Sequence, residues 1–186
     1  MPPDSSDTKR RILAAAHTEF AANGLAGARV DRIAESAGAN KRSIYVHFGP
    51  KEELFDLVVG RALQDMADAV PLTPDDLPAY AGALFDYLSA HPDVLRLTTW
   101  SRLERPGAAP SELDAYAPKI DALRTLHGAA AVDLLALVLG LITAWQNASP
   151  ALRALADDEA ATRLGDHREA LVAAVRATVD ATTTQR

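Results

Sequence analysis

Apolar residues recur along this chain at the three-to-four-residue spacing of a helix with one buried face. Ile12, Ala16 and Phe20 stand a turn apart with Leu13 beside them, predicting a first helix that starts after Ser6 or Asp7 and stops at Asn23-Gly24. A short second helix is predicted from Arg29 to Ala37, with Val30, Ile33 and Ala34 inward, followed by a turn at Gly38. Asn40, a good N-cap, opens a third helix anchored by Ile44 and Phe48. Gly49-Pro50 stops it and begins a fourth, with Leu54, Val58, Ala62 and Met66 on one face and Glu52 and Glu53 at its positive end.

Val70 to Pro78 reads as a proline-marked linker. Further helices are expected over residues 78–90, 93–104, 112–127, 131–148 and 166–182. Pro118 leaves open whether 112–127 is kinked or restarts there, and 151–165 fits no single pattern. The expectation is an all-α fold of about nine helices: an N-terminal three-helix helix-turn-helix domain at residues 1–50 and a larger helical domain at residues 51–186. Composition agrees, because alanine and leucine are abundant while β-branched and aromatic residues are few.

Charge changes the picture. The net charge of −6 argues against a nucleic-acid partner, but its distribution does not. Residues 1–51 carry eight basic and five acidic side chains, net +3; the remainder carries 11 basic and 20 acidic, net −9. A basic head can dock on phosphates while an acidic body is screened beyond ~10 Å.

Other classes recede. With no cysteine, a disulfide framework, a thiolate metal site and a cysteine nucleophile are excluded. The polar N-terminus does not read as a secretory signal, and the most apolar stretch, Leu134 to Trp145, is shorter than the ~20 residues that cross a bilayer. A cytoplasmic protein without a membrane partner is expected. Asn147-Ala148-Ser149 reads as a polar helix end. No P-loop, GxGxxG, HExxH or GxSxG is present, and the five histidines show no i, i+3 or i, i+4 pairing. Neither an enzyme, a cofactor nor a metal is expected.

The informative stretch runs from Ile33 to Phe48. Two short amphipathic helices meet at a glycine turn, and the second presents Lys41, Arg42, Ser43, Tyr45 and His47 outward. A major groove admits one helix and offers hydrogen-bonding edges to such side chains. Lys51 opens the next helix, where an ammonium and exposed backbone N–H groups can both meet a phosphate.

Ile33-Ala34-x-x-Ala37-Gly38, followed by Ile44-Tyr45-x-His47-Phe48-Gly49-x-Lys51-Glu52-Glu53-Leu54-Phe55, resembles the TetR/AcrR (tetracycline-repressor-type) regulators, as does Phe20-x-x-x-Gly24 before it. The resemblance covers residues 10–60 and implies a ligand-responsive transcriptional repressor. It implies residues 40–48 as the recognition helix, a ligand pocket in the helical body and a homodimer formed through the last two helices. Partners implied are a palindromic double-stranded DNA operator and a small-molecule effector. Carried onto this chain, Lys41, Arg42 and Ser43 lie where bases are read, and Tyr45, His47 and Lys51 where the backbone is gripped; Asn40 belongs to the same DNA-binding set. The family often opens its second helix with Thr or Ser; this chain has Ala28 and Arg29, so the usual cap is missing and Arg29 takes the phosphate contact.

Two apolar stripes mark the last helices: Leu134, Leu137, Val138, Leu141 and Trp145 on one, and Leu171, Ala174, Val175 and Thr178 on the other. Periodicity alone leaves monomer core and dimer interface equally open; the resemblance implies a four-helix dimer bundle through Leu134, Leu137, Val138, Leu141, Leu171, Val175 and Thr178. Candidates for the effector pocket are Phe85, Tyr87, His91, Trp100, Tyr116, His127 and Trp145, with ordinary packing the alternative for each. The rival functions are a helical carrier or enzyme with a vestigial DNA-binding head, and a protein-interaction module.

Overall fold

The structure, a computed structural model, describes residues 5–107, 110–155 and 160–184. Among them every regular element is helical: ten α-helices and one 3-10 turn. Contacts group the chain into two units, one of residues up to Met66 together with His91–Ala115, the other of Ala67–Ala90 and Tyr116 onward. The expected division at residue 50 sets the three predicted helices of the helix-turn-helix apart from the rest, whereas the units follow packing.

In the first unit, α1 (Ser5–Gly27), α2 (Val30–Ala37), α3 (Lys41–Phe48) and α4 (Lys51–Ala69) follow the predicted order, and α6 (Pro92–Glu104) packs along α1. The predicted stop at Gly24 is a break rather than an end. Gly24 has φ 67° and ψ −175°, and a further helical turn follows to Gly27. Only glycine fits there: a Cβ would stand 2.8 Å from Cδ2 of Trp100, in a conformation L-residues rarely adopt. Ile12, Ala16, Phe20, Ile33, Ile44, Leu54, Phe55, Val58 and Leu97 form the buried core, with Phe20 and Phe55 edge to face at 5.0 Å.

The second unit packs α5 (Leu77–Ala90), α8 (Ala131–Asn147) and α10 (Ala160–Thr184) against one another. Tyr80, Leu84, Phe85, Leu134, Leu135, Val138, Ile142, Leu171 and Val175 fill the core. Helices α5 and α10 approach closely at Gly82, where a Cβ would meet the Arg168 guanidinium at 2.8 Å; Arg168 Nε donates to both oxygens of Asp86 at 2.8 and 2.9 Å.

The remaining elements are α7 (Pro110–His127), which runs through Pro118, the 3-10 turn Gly128–Ala130, and α9 (Pro150–Ala154). Ser149 caps α9 through its Oγ, so the polar end of α8 leads directly into a second start signal. The segment that fitted no pattern therefore divides between α9 and the early start of α10; residues 156–159 lie outside the described ones.

One expectation needs correction. The helical run Glu112–Asn147 contains a stretch long and apolar enough to cross a membrane by length and composition, which the shorter Leu134–Trp145 reading missed. The 3-10 turn interrupts that run, and α8 lays Leu134, Leu135, Val138 and Ile142 into the core of its unit while Val132 and Leu137 stay exposed.

Candidate nucleic-acid interface

Helix α2 starts without help from its own N-cap, as Ala28-Arg29 foretold: Arg29 is extended and its side chain caps nothing. The cap comes from α1. The Glu19 carboxylate accepts from the Arg29 backbone N–H at 2.9 Å and from Arg32 Nε and Nη2 at 2.8 and 2.5 Å. Burial by itself would raise the Glu19 carboxyl, but the hydrogen bonds from Arg32 and the Arg29 amide, with both guanidinium charges, hold it below the usual carboxylate range. The phosphate contact expected of Arg29 remains sterically open, because the side chain is exposed.

Gly38 supplies the turn, with φ 57° and ψ 39°. Its N–H donates to Glu35 O at 3.1 Å and the Ala39 N–H to Ala34 O at 2.9 Å, closing α2. Arg11 Nη1 donates to Ala37 O at 2.8 Å, tying the turn back to α1.

Asn40 then caps α3: its Oδ1 accepts from the Arg42 backbone N–H at 2.8 Å. Its side chain is thus spent on starting α3. A single fully buried side chain, Ile44 (1% exposed), anchors α3. Lys41, Arg42, Tyr45 and Val46 are exposed, while Ser43 and His47 are half-buried; the His47 ring meets Phe48 edge-on at 6.2 Å.

The cations of this face are not equivalent. Lys41 Nζ pairs with Asp31 at 2.8 Å, and that hydrogen bond raises its ammonium above the usual range. Among the described residues no carboxylate pairs with Arg42. Lys51 is half-buried and its Nζ donates to Ala28 O at 3.1 Å, pinning the start of α4 to the connection before α2. An ammonium has three donors, so this bond leaves two for a phosphate.

The residues gathered on one outward surface are therefore Lys41, Arg42, Ser43, Tyr45 and His47, flanked by Arg29 and Lys51. Sequence reasoning missed two participants. Val46 is 70% exposed and stands two residues, about 200° of helical turn, from the inward Ile44; a methyl-bearing side chain there can meet a thymine methyl. Glu19 gave no signal, since its partner lies ten residues away across a chain break in helicity.

The seven pocket candidates do not converge. Phe85 and Trp145 both meet the His167 ring, at centroid distances of 5.6 and 5.2 Å. Tyr87 is half-buried on α5, Tyr116 exposed on α7, and His127 half-buried at the start of the 3-10 turn. His91 and Trp100 belong to the first unit, His91 exposed before α6 and Trp100 over Gly24.

Of the seven proposed interface residues, Leu134, Val138, Leu171 and Val175 are core side chains of a single chain, at most 3% exposed. Helix α8 is apolar on both sides, and these positions line its inner one. Leu137 is 54% exposed, and Leu141 and Thr178 are half-buried. An apolar groove of 390 Å³ is lined by Leu137, Ala177, Thr178, Ala181 and Thr182. Among the described residues no group of three or more metal-binding side chains comes together.

Residues 12–58 match the family model described as bacterial regulatory proteins, tetR family, and residues 76–177 match a tetracyclin repressor-like C-terminal domain. The chain is 46% identical over 125 residues to the HTH-type transcriptional repressor SCO4008 of Streptomyces coelicolor, a match spanning 65% of each chain. It is 30% identical over 130 residues to the transcriptional repressor NicS of Pseudomonas putida, spanning 66% of this chain and 58% of that one. The matches therefore span less than two thirds of these relatives. The solved structure of the Streptomyces coelicolor transcriptional regulator SCO4942 is 41% identical, covers 90% of this chain and 96% of that one, and superposes with a TM-score of 0.77.

Proposed function

The chain belongs to the TetR family of transcriptional regulators, and from that premise we propose that it is a cytoplasmic repressor, released from a palindromic operator by a small molecule. Residues 1–50 read the DNA; residues 51–186 hold the effector and the dimer contacts. The observation that carries the reading is α3 itself: a short helix held by Ile44, capped by Asn40, and presenting Lys41, Arg42, Ser43, Tyr45 and Val46 to solvent.

A homodimer places two such helices in successive major grooves, ~34 Å apart on one face of the duplex. The dimer contact we assign to the outer sides of α8 and α10. Leu137, Gly140, Leu141 and Ala144 fall on one stripe of α8, with space open around Gly140, beside the groove formed with Ala177, Thr178, Ala181 and Thr182. A helix apolar all round calls for cover on both sides.

Effector binding favours a dimer geometry that misfits the operator, so effector and DNA weaken each other by one common factor. The relatives described above are regulators, which sets the carrier or enzyme alternative aside. Fluorescence anisotropy with the duplex upstream of the chain's own reading frame tests the proposal. Saturable, salt-sensitive binding that an Arg42→Ala, Tyr45→Ala double variant loses is expected; equal binding by the double variant sinks it.

A further inference from the structure

The second unit holds four polar side-chain atoms that are out of contact with water and have no hydrogen-bond partner: Gln146 Nε2 and Oε1, Arg163 Nε and His167 Nε2. Those of Arg163 and His167 belong to side chains that meet one ring. Gln146 adjoins Trp145 at the end of α8, and Arg163 and His167 lie one turn apart near the start of α10. The Arg163 guanidinium lies over the Trp145 ring, 5.1 Å from its centroid. The His167 ring stands at 5.2 Å from Trp145 and 5.6 Å from Phe85, tilted to each by 39° and 43°.

Buried polar groups are almost always hydrogen-bonded, because losing water without replacement is costly. Two orphaned nitrogens on side chains that meet one ring, with an amide unsatisfied at both ends next along the chain from that ring, are an arrangement that packing alone does not favour. Among the described residues no carboxylate pairs with Arg163, which sets it apart from Arg32, Arg105 and Arg168, each bridged to an acid. The cluster therefore joins a cation with no carboxylate partner among the described residues and an imidazole to two aromatic rings, with the Gln146 amide next along the chain from Trp145.

We propose that this cluster is the effector site and that it takes an aromatic carboxylate. The inference rests on the ligand-released reading above and names the ligand class for it. The carboxylate accepts from Arg163, whose Nε–H and guanidinium edge make a planar, charge-assisted pair. Gln146 Nε2–H and His167 Nε2–H donate to the carboxylate, and the aromatic body packs beside Trp145. Burial, and next the charge of Arg163, hold the His167 imidazole below its ordinary value, so it is neutral at pH 7 and adds no second positive charge.

Calorimetry on the full chain tests this with three probes sharing one ring system: 1-naphthoate, the neutral 1-naphthalenemethanol and the cationic 1-naphthylmethylammonium. The expected result is 1-naphthoate binding at least about tenfold tighter than the other two, the scale of one charge-assisted hydrogen bond. Arg163→Met should abolish that preference and Arg163→Lys restore part of it. Gln146→Met removes the orphaned amide; it should raise the melting temperature without ligand while weakening 1-naphthoate, a pairing that a merely structural glutamine would not give. Binding that ignores probe charge, a preference that survives Arg163→Met, or a Gln146→Met chain that melts lower and binds equally well would each overturn the site. Operator binding by the same samples is read separately. If 1-naphthoate binds as expected and the operator is not released, the site stands and the release reading falls; if the operator is never bound, only the repressor reading falls.

Discussion

At the scale of single residues, the recognition segment shows that one side chain can serve structure and chemistry at once. Glu19 caps α2 and pairs with Arg32, so Glu19→Gln should cost about 1 kcal/mol, the scale of a lost cap, seen as a lower melting temperature. The pH dependence follows from the sign of the shift. The folded carboxyl lies below its ordinary value of 4.5, so its stabilisation is complete above that pH and is lost as the pH falls through the folded value. Asp93, bonded to His17 at 2.5 Å, behaves alike: burial pushes it up, but the His17 hydrogen bond and local amides win and lower it. Lowering the pH below about 4.5 should therefore loosen the first unit of the wild type, as read by hydrogen exchange, and the Glu19 share of that loss should vanish in Glu19→Gln while the Asp93 share persists. Arg42 and Lys51 separate base reading from backbone contact. Arg42→Ala should cost ~1–3 kcal/mol on the cognate site and little on random duplex, if the guanidinium makes a bidentate base contact. Lys51→Ala should weaken every sequence alike and flatten the salt slope by about one. Because Lys51 also bonds Ala28 O, a melting curve must accompany that measurement.

At the scale of elements, what was legible in the sequence depended on local signals. Asn40, Gly38 and the Gly49-Pro50 pair carry cap and turn chemistry in their own side chains or lack of them, so α2 and α3 appear within a residue of their predicted limits. The outer face of α3 followed from Ile44 and Phe48, of which Ile44 is fully buried and Phe48 half-buried. Helix α8 was legible as a helix but not in its facing, since Leu134 and Leu137, or Val138 and Leu141, look equivalent when both sides are apolar; burial by α5 and α10 decides between them. Arg163 and His167 stayed hidden because the start of α10 has no apolar period to announce it. The two sides of α8 predict opposite phenotypes. Leu137→Glu should leave the melting curve of the monomer close to wild type and convert the dimer to a monomer in light scattering, with operator affinity falling with it. Leu134→Ala empties a fully buried position and should cost 2–5 kcal/mol of stability, by analogy with large-to-small core changes of about that size, before any effect on assembly.

At the scale of the whole molecule, the charge asymmetry seen in the sequence becomes functional. On the proposed reading, a head of net +3 on a chain of net −6 binds DNA through local cations, so affinity should fall steeply with salt even though the protein as a whole is an anion. Linkage supplies a quantitative check on release. The factor by which saturating effector weakens operator binding must equal the factor by which saturating operator weakens effector binding, and unequal factors would mean that a third state or a second site intervenes.

The break in α1 has its own implication. The amides of Leu25 and Ala26, just past Gly24, donate to the carboxylate of Glu104, the last residue of α6, at 2.5 and 3.2 Å. The bend leading into α2 is thus splinted by a residue 79 positions away rather than fixed by its own segment. A splint can be removed without touching a single base-reading side chain. Glu104→Ala should then lower affinity for every duplex while leaving the order of preferred sequences as it was, the signature of a hand that has lost its wrist and kept its fingers.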